Sequence, residues 1–245
     1  MAPENTLAAF NLALAYGVDA LELDVHLSRD GRLAVIHDPS LARTTNQSGL
    51  VGDFTMAELQ GFDAAARFFG KAYGSQAIPV LEDVLELLAR DEYRHVSLQL
   101  EVKVRADGSR YEGIETEIIR ILADYGLLAR TIILSFDFPT LLTIAGLEPR
   151  LQRCALIGRA YLAGIGKAGP SAVAEEMAAL SVEYVGVRED SLSKPLYEAL
   201  RSKGLRIGAW TVNELSRMKE LKKLGVDFIT SDRPDLLQEL GQLQE

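Results

Sequence analysis

Glu22, Asp24 and His37 have the residue types and the spacing to build a metal-assisted acid/base site. Side chains of an extended strand alternate between faces, so Glu22 and Asp24 point one way while Leu21, Leu23 and Val25 point the other. Asp30-Gly31 follows, and Asp-Gly between two alternating apolar runs predicts a two-residue type I′ hairpin loop, because both residues tolerate positive φ. With that loop Arg29 faces Arg32, Leu27 faces Ala34 and Asp24 faces His37. Cross-strand partners share a face, so the two carboxylates and the imidazole are expected to converge on one patch.

A second polar patch lies in Leu98-Gln99-Leu100-Glu101-Val102-Lys103, where alternation places Gln99, Glu101 and Lys103 together. Carboxylates crowded in this way repel unless a cation resides among them. Glu22, Asp24 and Glu101 form an all-oxygen ligand set, so the expected ion is hard, Mg2+ or Ca2+, and zinc is not expected. As a compact point charge Lys103 suits a phosphate oxygen. As an interior lysine it equally suits neutralisation of Glu101, and the strand pattern does not choose between the two.

The elements that must position these groups alternate from end to end. Helical periodicity runs through Asn5 to Tyr16, Leu81 to Arg90, Tyr111 to Tyr125, Ala172 to Leu180, Lys194 to Lys203, Asn213 to Leu224 and Pro234 to Leu240, with a shorter stretch near Pro139 to Leu147. Strand-like runs lie at Ala20 to Val25, Val96 to Lys103, Thr131 to Ser135, Cys154 to Ile157, Tyr184 to Val187, Arg206 to Trp210 and Phe228 to Thr230. The alternation predicts parallel βαβ units, and 245 residues suit one (β/α)8-type barrel domain over 1–245, for which roughly 250 is typical. Arg32 to His37 returns antiparallel after a tight turn, so it is an appended hairpin rather than a barrel strand. The barrel's first strand is therefore expected to be missing, since Met1 to Thr6 leads almost directly into a helix. The stretch 38–80, with Phe54, Phe62, Phe68, Phe69 and Tyr73, is expected to be a lid or insertion that packs most of its aromatic rings.

Composition narrows the partners. A formal charge of −9 without a basic cluster argues against nucleic acid, and no exposed apolar helix or transmembrane-length stretch points to stable membrane association. A small-molecule substrate is the expected partner, and an oligomer is compatible with the sequence. The N-terminus lacks a basic region followed by an apolar core, which favours the cytoplasm. Cys154, the only cysteine, is expected to fill core, and the glycines at 164, 166 and 169 match no phosphate-binding fingerprint and are expected in a flexible loop.

Taken in order, Pro3-Glu4-Asn5-Thr6, ELDVHLSRDG, VIHDPSLARTT, Ile78-Pro79-Val80-Leu81-Glu82, Glu101-Val102-Lys103, Trp210-Thr211-Val212-Asn213 and Thr230-Ser231-Asp232-Arg233-Pro234 resemble the glycerophosphodiester phosphodiesterase family over essentially the whole chain. The resemblance implies a metal-dependent TIM barrel that cleaves glycerophosphodiesters to glycerol 3-phosphate and an alcohol. It implies Glu22, Asp24 and Glu101 as metal ligands, His37 as one of two catalytic histidines and Lys103 as a phosphate contact. It also implies attack of the neighbouring glycerol hydroxyl on phosphorus to give a cyclic phosphate that water then opens.

The second histidine and a phosphate-holding arginine come, in the family, from a His-Arg-Gly strand ahead of Pro-Glu-Asn-Thr, and this chain starts after that point. Each acid/base group is worth about 10² to 10⁴ in rate, so the chain as written is expected to turn over poorly or not at all. Neither His95, at the start of a strand, nor His26, out toward the hairpin tip, is expected to substitute. Trp210 is a substrate wall or a core indole, Arg43 reaches phosphate or anchors its loop, and Glu4 bonds substrate or the family's arginine. A catalytically impaired barrel that binds metal and phosphodiesters, and a lipid phosphodiesterase of the same superfamily, remain alternatives.

Overall fold

Thr6 starts the first helix, α1 (Leu7–Ala15), by accepting the N–H of Ala9 at 3.3 Å while its hydroxyl donates to the Pro3 carbonyl at 2.7 Å. In this computed structural model residues 1–69 and 73–242 are described, and they divide into two compact units. The first contains Met1–Ile132 and Thr143–Leu151; the second contains Ile133–Leu142 and Gln152–Glu245. β4 (Thr131–Ser135) and α5 (Phe138–Leu147) contribute residues to both.

In the first unit β1 (Ala20–Leu27) is paired on one side with β3 (Ser97–Val102) in parallel and on the other with β2 (Leu33–Val35) in antiparallel. The parallel register sets Glu22 beside Gln99 and Asp24 beside Glu101, so alternation within each strand and register between them place the carboxylates together. Leu21, Leu23, Val25, Leu98 and Leu100 are buried. Helices α3 (Leu81–Leu88) and α4 (Ile114–Asp124) belong to the same unit, and α3 buries Leu81, Val84, Leu85, Leu87 and Leu88.

The hairpin register differs from the expected one by a residue. Leu27 pairs with Leu33 rather than Ala34, and the amide of Ile36, not of His37, donates to the Asp24 carbonyl at 3.0 Å. The cause is a third loop residue: Ser28 N–H donates to the Arg32 carbonyl around Arg29, Asp30 and Gly31, with Gly31 at φ +78°. A three-residue loop closed by a left-handed glycine is the next most common hairpin after the two-residue form. The Asp30 carboxylate favours it by accepting the Ser28 hydroxyl at 2.7 Å and the amide of Met56 at 2.9 Å, which ties the loop to α2 (Met56–Gln60). The slip sets Ile36 rather than His37 opposite Asp24; Ile36 is buried, and His37 lies beyond the end of β2.

The stretch 38–80 packs around an apolar cluster that it shares with β2. Ile36, Leu41, Val51, Met56, Leu59, Ala64 and Ile78 are buried together, with Phe54 and Phe62 packed against them. Phe54 meets Phe62 edge-on at 5.2 Å, Phe68 meets Tyr73 at 6.2 Å, and Phe69 alone of these rings stands fully in solvent. Residues 70–72 of this stretch lie outside the described ones.

In the second unit β5 (Gln152–Ile157), β6 (Tyr184–Arg188), β7 (Arg206–Trp210) and β8 (Phe228–Ile229) pair successively in parallel. The helices between and after them are α6 (Arg159–Gly164), α7 (Pro170–Ala179), α8 (Lys194–Ser202), α9 (Leu215–Leu224) and α10 (Pro234–Gln242). The glycine-containing stretch expected as a flexible loop is instead helical, α6 running to Gly164 and a 3-10 turn covering Ile165–Ala168. Ala160, Tyr161, Leu162 and Ala163 carry the helix, and the break falls at Gly169, whose φ of +96° precedes Pro170 at the first turn of α7. Cys154 is buried, as core filler requires. No described helix is long and apolar enough to cross a membrane.

Candidate active site

One ligand oxygen from each of Glu22, Asp24 and Glu101 lies within 4.8 Å of the others. Opposed oxygens around a hard cation are separated by roughly 4–5 Å, so the span fits Mg2+ or Ca2+. Asp24 and Glu101 are buried and Glu22 is partly so. The Lys103 ammonium donates to Glu101 Oε1 at 2.5 Å and sits 2.8 Å from Asp24 Oδ1. Both roles open to Lys103 from the sequence therefore start from one position, beside the cluster.

The electrostatics mark a cluster short of positive charge. Burial pushes the Glu101 carboxyl up to about 7; the Lys103 ammonium pulls it down, Asp24 pushes it up and His37 pulls it down. Burial works against the charge on Lys103, but Asp24 and Glu101 outweigh it and hold the ammonium above the usual lysine range. A cation among the three carboxylates would supply the charge that a single lysine does not.

Asp24 is also gripped from the opening loop. Asn5 donates from Nδ2 to Asp24 Oδ2 at 2.8 Å and accepts the Asp24 amide at 3.2 Å on Oδ1. Its φ of +52° lies in the left-handed region, which asparagine visits more readily than most residues, and the turn aims its amide back at β1.

His37 is half exposed and follows the end of β2. Its Nδ1 lies 2.6 Å from Asp38 Oδ1, so the carboxylate accepts a hydrogen bond from Nδ1–H and leaves Nε2 as the accepting nitrogen of the neutral ring. Asp38 in turn accepts Arg43 Nε at 2.5 Å on its other oxygen. Burial works against the Asp38 carboxylate, yet the hydrogen bonds from Arg43 and His37 hold it below the usual range. The remaining two nitrogens of the Arg43 fork donate to Glu4 at 2.7 and 2.6 Å. Arg43, read as a phosphate contact or a loop anchor, and Glu4, read as a bond to substrate or to the family's arginine, are thus brought to each other, and Arg43 is the strut between the opening loop and Asp38.

His26 lies wholly inside, its Nδ1 2.9 Å from Tyr111 Oη and its Nε2 3.1 Å from the His37 carbonyl; burial pulls it down to about 4. His95 is exposed ahead of β3. Trp210 ends β7 in the second unit, where its ring meets Phe136 edge-on at 5.3 Å and its Cζ2 and Cη2 lie over Gly158. The structure thus gathers Glu22, Asp24, Glu101, Lys103 and His37, and adds Asn5, Asp38, His26 and Tyr111. Of these, only Asn5 carried a local signal, a left-handed-tolerant residue directly before a threonine N-cap.

A model of the glycerophosphoryl diester phosphodiesterase family matches residues 1–236. Among curated relatives, a glycerophosphodiester phosphodiesterase of Caldanaerobacter subterraneus is 34% identical over 96% of this chain and 90% of its own, and one of Bacillus altitudinis is 34% identical over 95% and 90%. Among solved structures, a glycerophosphodiester phosphodiesterase from Agrobacterium tumefaciens superposes with a TM-score of 0.78 at 29% identity, covering 98% of this chain and 94% of that one. An Oleispira antarctica phosphodiesterase, solved with the product sn-glycerol-3-phosphate, superposes with a TM-score of 0.80 at 26% identity over 98% and 91%. The fold class is α/β, of the (β/α) barrel type that the alternation of elements predicts.

Proposed function

The chain belongs to the glycerophosphoryl diester phosphodiesterase family, and from that premise we propose that it hydrolyses glycerophosphodiesters to sn-glycerol 3-phosphate and an alcohol at the Glu22–Asp24–Glu101 cluster. The observation that carries this is the convergence of three carboxylate oxygens within 4.8 Å beside Lys103. Glu22, Asp24 and Glu101 would hold Mg2+ or Ca2+, which when bound withdraws charge from the phosphate oxygens and from the alkoxides that bond making and breaking produce.

The chain's own residues do the rest. Two of the three ammonium donors of Lys103 are given to Asp24 and Glu101, and the third contacts a phosphate oxygen of the substrate. His37, with Nδ1–H on Asp38, takes a proton at Nε2 from the attacking hydroxyl, and Arg43 keeps Asp38 ionised and in place while it does so. Asn5 fixes the carboxylate plane of Asp24 through its two bonds.

His37 is the half-exposed imidazole at this cluster, whereas His26 is enclosed and His95 stands exposed ahead of β3. Release of glycerol 3-phosphate from glycerophosphocholine tests the role of His37, comparing the chain with and without His37→Ala. The expected result is turnover lowered by about 10²- to 10⁴-fold, and still measurable, in His37→Ala. A rate that His37→Ala leaves unchanged would overturn the assignment of His37.

A further inference from the structure

We infer that His26 and Tyr111 form a buried positioning pair that holds the peptide of His37, and so the direction of its imidazole, through the His37 carbonyl. This inference rests on the reading of His37 as the proton carrier.

The bonding fixes the tautomer. A carbonyl oxygen only accepts, so the 3.1 Å contact to the His37 carbonyl requires the hydrogen on His26 Nε2. In the neutral ring Nδ1 is then an acceptor, and Tyr111 Oη, 2.9 Å away, is the donor that satisfies it. Both side chains are buried, and the rings meet edge-on with centroids 5.8 Å apart and planes at 80°. The Arg105 guanidinium lies 4.8 Å from the Tyr111 ring centre, and Tyr111 stands just ahead of Gly113, which caps α4. The pair therefore ties the start of α4 through β1 to the second residue after β2.

The tie falls where the sheet no longer supplies one. Ladder bonding between β1 and β2 covers Val25 to Leu27 against Leu33 to Val35, and the amide of Ile36 makes the last bond to β1, at Asp24. His37 lies beyond it, so His26 supplies the next bond to β1 by side chain instead of backbone. Asp38 sets which ring nitrogen of His37 faces outward, and His26 sets where that ring is carried. Displacing a reacting group by about 1 Å can cost roughly 10²-fold in rate.

The test is a double-mutant cycle on glycerol 3-phosphate release from glycerophosphocholine, with circular dichroism and thermal unfolding on every variant. Tyr111→Phe keeps the ring and removes only the hydroxyl, and His26→Gln keeps a donor that can reach the carbonyl. We expect His26→Ala to lower kcat by about 10- to 100-fold with KM changed less than about threefold. His26→Gln should recover most of that loss and Tyr111→Phe should fall between. In a His37→Ala background the His26 and Tyr111 substitutions should have no further effect on kcat.

If His26→Ala lowers kcat equally with and without His37, or if folded Tyr111→Phe and His26→Ala retain full kcat, the positioning role is overturned. If His37→Ala itself leaves kcat unchanged, the reading of His37 fails, and that outcome is distinct from failure of the pair.

Discussion

Asp38 decides which nitrogen of His37 is left to accept a proton, because it lies 2.6 Å from Nδ1. Asp38→Asn offers Nδ1 an amide in place of a carboxylate and loosens the tautomer, so kcat should fall about 10²-fold with KM little changed, as steady-state kinetics would show. Glu101 carries the pH dependence. Its carboxyl, raised from 4.5 to about 7 by burial, must lose its proton to bind a cation. Apparent affinity for Mg2+ or Ca2+ should therefore fall by about tenfold per pH unit below about 7, and binding near pH 6.5 should release protons, which calorimetry in buffers of different ionisation enthalpy measures. The effect on folding has the opposite sign. Glu101 binds its proton more tightly in the folded chain, so its contribution to stability is present below about 4.5 and is lost as pH rises to about 7. The three carboxylates and Lys103 were legible because alternation in single strands aligns them. Asp38 as tautomer-setter and His26 as a buried donor were not, since both depend on where the chain travels after β2 ends.

At the scale of elements the hairpin separates what local sequence can and cannot specify. Asp30-Gly31 marks the turn correctly, yet the choice between two and three loop residues rests on Asp30 capping Ser28 and Met56, a contact 26 residues away in sequence. Gly31→Ala meets no atom within 4 Å, so its cost is the left-handed backbone alone. It should destabilise the protein by about 1–2 kcal/mol, seen as a lower urea midpoint at unchanged slope. The stretch 38–80 follows the same logic. Its apolar residues were visible, but without a helical or strand period their joint core was not. Leu59 is fully buried there, and Leu59→Ala should cost about 2–5 kcal/mol. The helical turns from Arg159 to Ala168 went unread because glycines at 164 and 166 outweigh, in a local reading, the good helix formers beside them.

For the molecule as a whole, the alternation of strands and helices revealed the fold class because parallel strands demand crossovers, and crossovers leave a long, repeated trace in sequence. Assembly of the site depends on that fold: β1 and β3 are 77 residues apart at the Ala20–Ser97 pair, yet their register alone places Asp24 against Glu101. A cation that binds only the folded chain must stabilise it. At about 100 times its Kd, Mg2+ or Ca2+ should add about 2.7 kcal/mol, and the rise in melting temperature should be larger at pH 8 than at pH 5 because Glu101 is ionised only at the former. The most direct test of the central claim is glycerol 3-phosphate release from glycerophosphocholine by the metal-stripped chain, titrated with Mg2+ and Ca2+, alongside Glu101→Gln. The account predicts turnover that is absent after chelation, restored by the divalent ion and reduced at least about 10²-fold in Glu101→Gln. Turnover that persists in chelator, or that Glu101→Gln leaves unchanged, would contradict it.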